Sequence, residues 1–207
     1  MINKTTDCLI IIDVQNDFCP GGALEVPAGD EVVPVINQLV DGFSHRILTQ
    51  DWHPAGHHSF ASAHAGKSPF ETVELDYGTQ VLWPDHCIQD SFGAEFHAGL
   101  DTTGAELIIR KGFRPAIDSY SAFTENDQTT PTGLSGYLAN RGFRRLFLAG
   151  LATDYCVAWS ALDARREGFE VVLIEDACRA IDMNGSRQAA IDQMDDAGVV
   201  RICTADL

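Results

Sequence analysis

The chain has 207 residues, a formal net charge of −16, 45% hydrophobic residues and 21% charged residues. That is enough apolar material for a packed core, which excludes a disordered or low-complexity protein. So acidic a surface repels phosphate backbones and anionic headgroups, so neither nucleic acid nor a membrane is the expected partner.

The opening MINKTTD lacks the apolar core of a signal peptide. No run approaches the ~18 apolar residues that span a bilayer. A cytoplasmic protein is expected. Cys8, Cys19, Cys87, Cys156, Cys178 and Cys203 form no CxxC pair, so reduced thiols are expected rather than a disulfide framework.

The first predicted strand is Cys8–Val14, an apolar run short enough to be buried on both faces. A helix follows over Asp30–Phe43, with Val32, Val33, Ile36, Leu39, Val40 and Phe43 on one face and Pro34 in the first turn. Arg46–Gln50 is the second strand. The segment 52–100 then shows no periodic element beyond a short helix near its end. It holds six of the seven histidines: His53, His57, His58, His64, His86 and His97. Irregular loops of this length usually carry function. Glu106–Arg110 is the next strand, Thr132–Asn140 a helix, and Arg144–Ala149 a strand. Helix Asp154–Glu167, strand Glu170–Ile174, helix Gly185–Ala197 and strand Val199–Cys203 complete the series, with Gly198 as a helix stop. Alternating strands and helices predict right-handed crossovers. The expected fold is α/β: one domain over 1–207, a three-layer α/β/α sandwich around a mainly parallel six-stranded sheet, with the loop 52–100 as an insertion.

Reactive side chains stand at four of these strand ends: Asp13, Asp51, Lys111 and Cys156. Open α/β sheets bind ligands beyond the carboxyl ends of their strands, so the four can share one pocket. Asp51 and His53 lie two apart in an extended segment and point to the same side. His86, in WPDHC, can join them from across the loop. Two imidazoles and a carboxylate suit Zn²⁺, Fe²⁺ or Mn²⁺ with positions left open. His57, His58 and His64 are rival ligands, and Cys87 is read as a small buried thiol.

Cys156 lies where strand turns to helix in GLATDYC, with Thr153 as the expected N-cap. The first helical turn there should favour a thiolate and offer N–H groups to an oxyanion. Asp13 could accept the thiol proton, and Lys111 would stabilise negative charge on both. Asp17 is read as a turn or capping carboxylate, and Cys8, Cys178 and Cys203 as core.

The segments IIDVQNDFCPGGAL, TQDWHPAGHHSFAS, VLWPDHC, RKGF and GLATDYCV together resemble the isochorismatase-like cysteine hydrolases, which share a Rossmann-like sheet. The Asp-Trp-His and Trp-Pro-x-His-Cys signatures are similar to those of the metal-dependent nicotinamidases (pyrazinamidases) within that superfamily. The resemblance implies hydrolysis of nicotinamide, and of pyrazinamide, through a cysteine thioester in NAD salvage. It implies a catalytic triad of Asp13, Lys111 and Cys156. It implies a divalent metal, zinc before iron or manganese, on Asp51, His53 and His86, with His57 or His58 as an optional fourth ligand. It places a cis peptide at Leu151–Ala152, with the Ala152 and Cys156 N–H groups as oxyanion hole. Phe18, Trp83, Tyr120 and Tyr155 would line a small aromatic pocket. A small-molecule substrate is the expected partner, and self-association is left open. The rival expectations are a superfamily amidase of another substrate, which would lack the metal, and a metal-binding or thiol-redox module, which would release no ammonia.

Overall fold

The computed structural model describes residues 1–207. Its centre is a six-stranded sheet formed by β1 (Asp7–Ile12), β2 (Arg46–Asp51), β5 (Leu107–Lys111), β6 (Arg145–Leu151), β7 (Glu170–Arg179) and β8 (Val200–Ile202). The order is β5-β2-β1-β6-β7-β8, and every pairing is parallel. The remaining two strands, β3 (Thr72–Leu75) and β4 (Gly78–Val81), form a separate antiparallel hairpin.

The alternation of side chains along the central strands builds two cores. Leu9, Ile11, Leu48, Phe147, Ala149, Val172 and Ile174 face helix α1 (Val32–Leu39), which contributes Val32, Val33, Ile36 and Leu39. Cys8, Ile10, Ile12, Ile47, Leu146, Leu148, Val171 and Leu173 face the opposite side. There α2 (Leu134–Arg141), α3 (Ala158–Arg166) and α4 (Ser186–Asp196) cover them with Leu134, Leu138, Ala161, Ala164, Ile191 and Met194. Both faces are covered, as a parallel sheet requires. The three-layer α/β/α prediction and the mainly parallel six-stranded sheet hold. No helix is long and apolar enough to cross a membrane.

Several expectations need correction. The segment 52–100 carries the β3–β4 hairpin, and its expected terminal helix is a single 3₁₀ turn, Phe92–Ala94. Cys203 is exposed, not core, because it lies just past the short edge strand β8. The turn bearing Cys156 is a π-helical turn, Thr153–Val157, and Thr153 supplies no side-chain cap.

The topology fixes where a site can form. From β1 the chain moves outward through β2 to β5, then returns to the other side of β1 with β6. The crevice beyond the ends of β1 and β6 is therefore the switch point of the sheet. Asp13 follows β1 there, and Cys156 follows β6.

Candidate active site

Lys111 closes β5 with its side chain fully buried. Its ammonium lies 2.7 Å from Asp13 Oδ2 and 3.0 Å from Asp51 Oδ1. It also donates to the Ser119 carbonyl at 3.0 Å and to Cys156 Sγ at 3.3 Å. One cation thus joins two acids and the sulfur. Burial opposes its charge, but Asp13, Asp51 and Cys156 outweigh burial and raise its pKa well above the usual lysine value.

Asp13 is fixed by Thr49, whose hydroxyl donates to Oδ1 at 2.6 Å and accepts from the Asp13 N–H at 3.1 Å. Its Oδ2 lies 2.7 Å from the Lys111 ammonium as an ion pair and has no further protein partner. That oxygen is the one left to accept a proton. Burial raises the Asp13 pKa above the ordinary carboxylate range; Lys111 pulls it back only in part. Burial also pushes the Cys156 thiol well up, opposed by Lys111 and reinforced by Asp13 and Asp51. Loss of solvent thus works against the thiolate that the helical turn and Lys111 favour.

A second cluster lies against the first. Asp51 Oδ2 is 3.0 Å from His53 Nε2 and 3.3 Å from His86 Nε2. The ligand atoms of Asp51, His53 and His86 lie within 4.8 Å of one another, and all three residues are buried. The His53 Nδ1 donates to the Gly112 carbonyl at 2.9 Å, and the His86 Nδ1 to the Pro84 carbonyl at 2.7 Å. With both Nδ1 protons so engaged, two Nε2 lone pairs face a carboxylate oxygen. Such opposed donors call for a cation, and the carbonyl-oriented imidazoles are the usual outer support of a metal site. The donor set fits a divalent metal. Gln15, fully buried, braces it by accepting from the Asp51 N–H at 2.8 Å and donating to the Asp51 carbonyl at 2.8 Å.

His57 and His58 do not extend this set. His58 is exposed. His57 is buried with both ring nitrogens engaged: Nδ1 accepts from the Ser59 hydroxyl at 2.7 Å, and Nε2 donates to the Arg114 carbonyl at 2.9 Å. Burial and the neighbouring His53 lower its pKa to about 4, so it stays neutral. The His57 ring is tilted against His53, with centroids 4.5 Å apart, and His57 groups with His53 and Asp118 instead. Asp17 accepts from the Cys87 N–H at 2.7 Å and the Ala23 N–H at 3.1 Å, which is the turn role expected of it.

Both clusters border one apolar cleft, through Cys156 of the first and Asp51 and His86 of the second. Phe18, Trp83, Tyr120, Tyr155, Ala152 and Cys156 line it, with Asp51 and His86 at its floor. Trp83 and Tyr155 meet edge to face at 4.9 Å. The Leu151–Ala152 peptide is cis. Leu24, Asp118 and Ile181 also line the cleft. Nothing in their sequence setting singles them out: an isolated aliphatic or acid in a loop carries no period and no motif. Asp154 draws Ile181 to the cleft by accepting its N–H at 3.0 Å.

The chain matches the isochorismatase domain over residues 7–206. It is 54% identical over 207 residues to the nicotinamidase of Acinetobacter baylyi, covering 100% of this chain and 97% of that one. It is similar to PnC1 from L. infantum in complex with nicotinate, with 42% identity, a TM-score of 0.86, and 99% and 96% of the two chains covered. It is also similar to the pyrazinamidase of Pyrococcus horikoshii in complex with zinc, with 35% identity, a TM-score of 0.78, and 95% and 98% covered. A buried acid–lysine–cysteine cluster beside a histidine–carboxylate set, on this sheet and with these relatives, leads to one assignment: the chain belongs to the isochorismatase family of hydrolases, within its nicotinamidase branch.

Proposed function

We propose that this protein hydrolyses nicotinamide to nicotinate and ammonia, accepts pyrazinamide by the same route, and serves NAD salvage. The observation that carries the reading is the buried Lys111 ammonium, 3.3 Å from Cys156 Sγ and 2.7 Å from Asp13 Oδ2, behind an apolar cleft that Cys156 lines. The cleft suits a flat, neutral heteroaromatic ring. Asp13, Lys111 and Cys156 are the catalytic groups, and segment 52–100 is the metal-binding insertion.

Asp13 Oδ2, free of other partners, takes the thiol proton as Cys156 Sγ attacks the carboxamide carbon. Lys111 stays charged and offsets the negative charge as it moves from sulfur to Asp13 and to the carbonyl oxygen. The Ala152 and Cys156 N–H groups hold that oxygen, an arrangement worth ~10²–10³ in rate per donor. The C–N bond then breaks, Asp13 returns the proton to nitrogen, and ammonia leaves. Asp13 next takes a proton from water, which attacks the thioester. Nicotinate departs, and Asp13 reprotonates the sulfur. Asp51, His53 and His86 would hold a divalent ion, zinc by preference over iron or manganese, which when bound would supply Lewis-acid character at the ring-nitrogen end of the substrate. Phe18, Trp83, Tyr120 and Tyr155 orient the ring.

The test is ammonia release from nicotinamide in a coupled assay, before and after stripping with chelator and after adding zinc back. Turnover that falls on stripping and returns with metal is expected. Metal-loaded protein that releases no ammonia refutes the reading and favours a metal-binding module.

A further inference from the structure

The β3–β4 hairpin lies outside the central sheet, yet one of its side chains is 1% exposed and reaches the cleft wall: Gln80. Its Nε2 has two protons for three acceptors, the Val81 carbonyl at 2.7 Å, Asp118 Oδ2 at 2.8 Å and the Tyr120 hydroxyl at 3.0 Å, so two of these acceptors share one proton. Its Oε1 accepts from the Tyr77 hydroxyl at 2.9 Å and from Asn126 Nδ2 at 3.3 Å. These partners fix the amide orientation, since a flip would set Oε1 against a carboxylate and a carbonyl.

The consequence falls on Tyr120. Two atoms lie within hydrogen-bond distance of its hydroxyl: Gln80 Nε2 and, at 3.0 Å, Trp83 Nε1. Both are donors only, so the tyrosine oxygen is the acceptor in each contact. Its own proton has no protein acceptor, and the side chain forms part of the cleft wall. A half-buried hydroxyl whose oxygen faces two donors turns its proton away from both.

We propose that Gln80 is a positioning residue for the reaction: from the hairpin it sets the polarity of the Tyr120 hydroxyl, turning its proton toward a hydrogen-bond acceptor on the bound heteroaromatic carboxamide. This rests on the hydrolytic reading above and deepens it. Gln80 touches no substrate. It acts through Tyr120, with Asp118 as the second anchor of the same wall. Recognition is thereby assigned partly to an element separate from the catalytic sheet.

The experiment is a double-mutant cycle on the metal-loaded enzyme, with nicotinamide as the probe. Gln80→Leu and Tyr120→Phe should each raise KM about 3- to 10-fold, the span of one neutral hydrogen bond, with kcat within about two-fold. The double variant should be no worse than Tyr120→Phe alone, because Gln80 has nothing left to orient. Gln80→Met, unbranched and also without donors, replaces Gln80→Leu should the latter fail to fold. An unchanged KM in the Gln80 variant overturns the proposal. So do losses that multiply in the double variant, the signature of a generally loosened structure. Absence of wild-type turnover overturns this proposal together with the function it rests on. Wild-type turnover with multiplying losses overturns the role of Gln80 alone.

Discussion

Gly112→Ala is the sharpest test of how the metal set is held. Gly112 follows β5 with φ +67, and a Cβ there would sit 2.4 Å from His53 Cε1 and 2.7 Å from His53 Nδ1. Ordinary carbon contacts begin near 3.5 Å, so the imidazole must retreat by about 1 Å. His53 is 1% exposed and packed against His57, Phe60 and His86, which leaves the ring little room. The same push breaks its bond to the Gly112 carbonyl, which orients Nε2. Metal sites tolerate ligand displacements of only about 0.2 Å, and losing an outer support costs about 10- to 100-fold in affinity. The left-handed backbone adds about 1–2 kcal/mol of destabilisation for alanine, small enough to leave a folded protein. Equilibrium dialysis against buffered zinc, with metal read by mass spectrometry, should therefore show at least a ten-fold weaker site in a protein that still melts cooperatively. Zinc affinity within two-fold of the parent would refute the argument that Gly112 exists to admit His53.

Other outcomes follow from the same geometry. Cys156→Ala should abolish ammonia release while retaining nicotinamide binding by calorimetry; residual turnover would displace Cys156 as nucleophile. Lys111→Met leaves two buried carboxylates without their shared cation, and denaturant melts should show a loss of about 3–5 kcal/mol. A loss below 1 kcal/mol would mean that Asp13 and Asp51 do not depend on it. His57 is held neutral with a pKa lowered to about 4, against about 6.5 when unfolded. Its contribution is complete above pH 6.5 and drains away as pH falls toward 4, because the unfolded chain takes up the proton first. Wild type should therefore lose about 3 kcal/mol more than His57→Gln between pH 7 and pH 4, and parallel pH profiles would contradict the buried neutral ring.

Much of the fold was legible because the central strands are buried on both faces and read as continuous apolar runs. Leu9 and Ile11 face one core while Cys8, Ile10 and Ile12 face the other, and no polar residue interrupts them. The hairpin was not legible. Thr72–Leu75 alternates, with Val73 and Leu75 on its half-buried side, but four residues are too short a run to mark a strand, and Gly78–Val81 carries a single apolar residue, Val81. Strand β7 runs to Arg179, past its apolar stretch, because pairing with β6 continues to Leu151↔Arg179. In the site, residues at strand ends could be placed from sequence, since topology alone brings those ends together. Gln80, Asp118, Leu24 and Ile181 could not, because their roles arise from contacts of the hairpin and the loops across the fold. The burial that opposes a Cys156 thiolate was also out of reach: a helical turn is visible in the sequence, but the removal of water from around the sulfur is not.

The parallel order of the sheet also has a temporal consequence. The pairing of β1 with β6 joins segments about as distant as Asp7 and Arg145, 138 residues apart. Loops of that span close late and slowly compared with local helices. A chain emerging from the ribosome thus carries its acid and its histidines long before its sulfur arrives. Until β6 docks, the polypeptide carries most of the parts of a hydrolase and none of its chemistry.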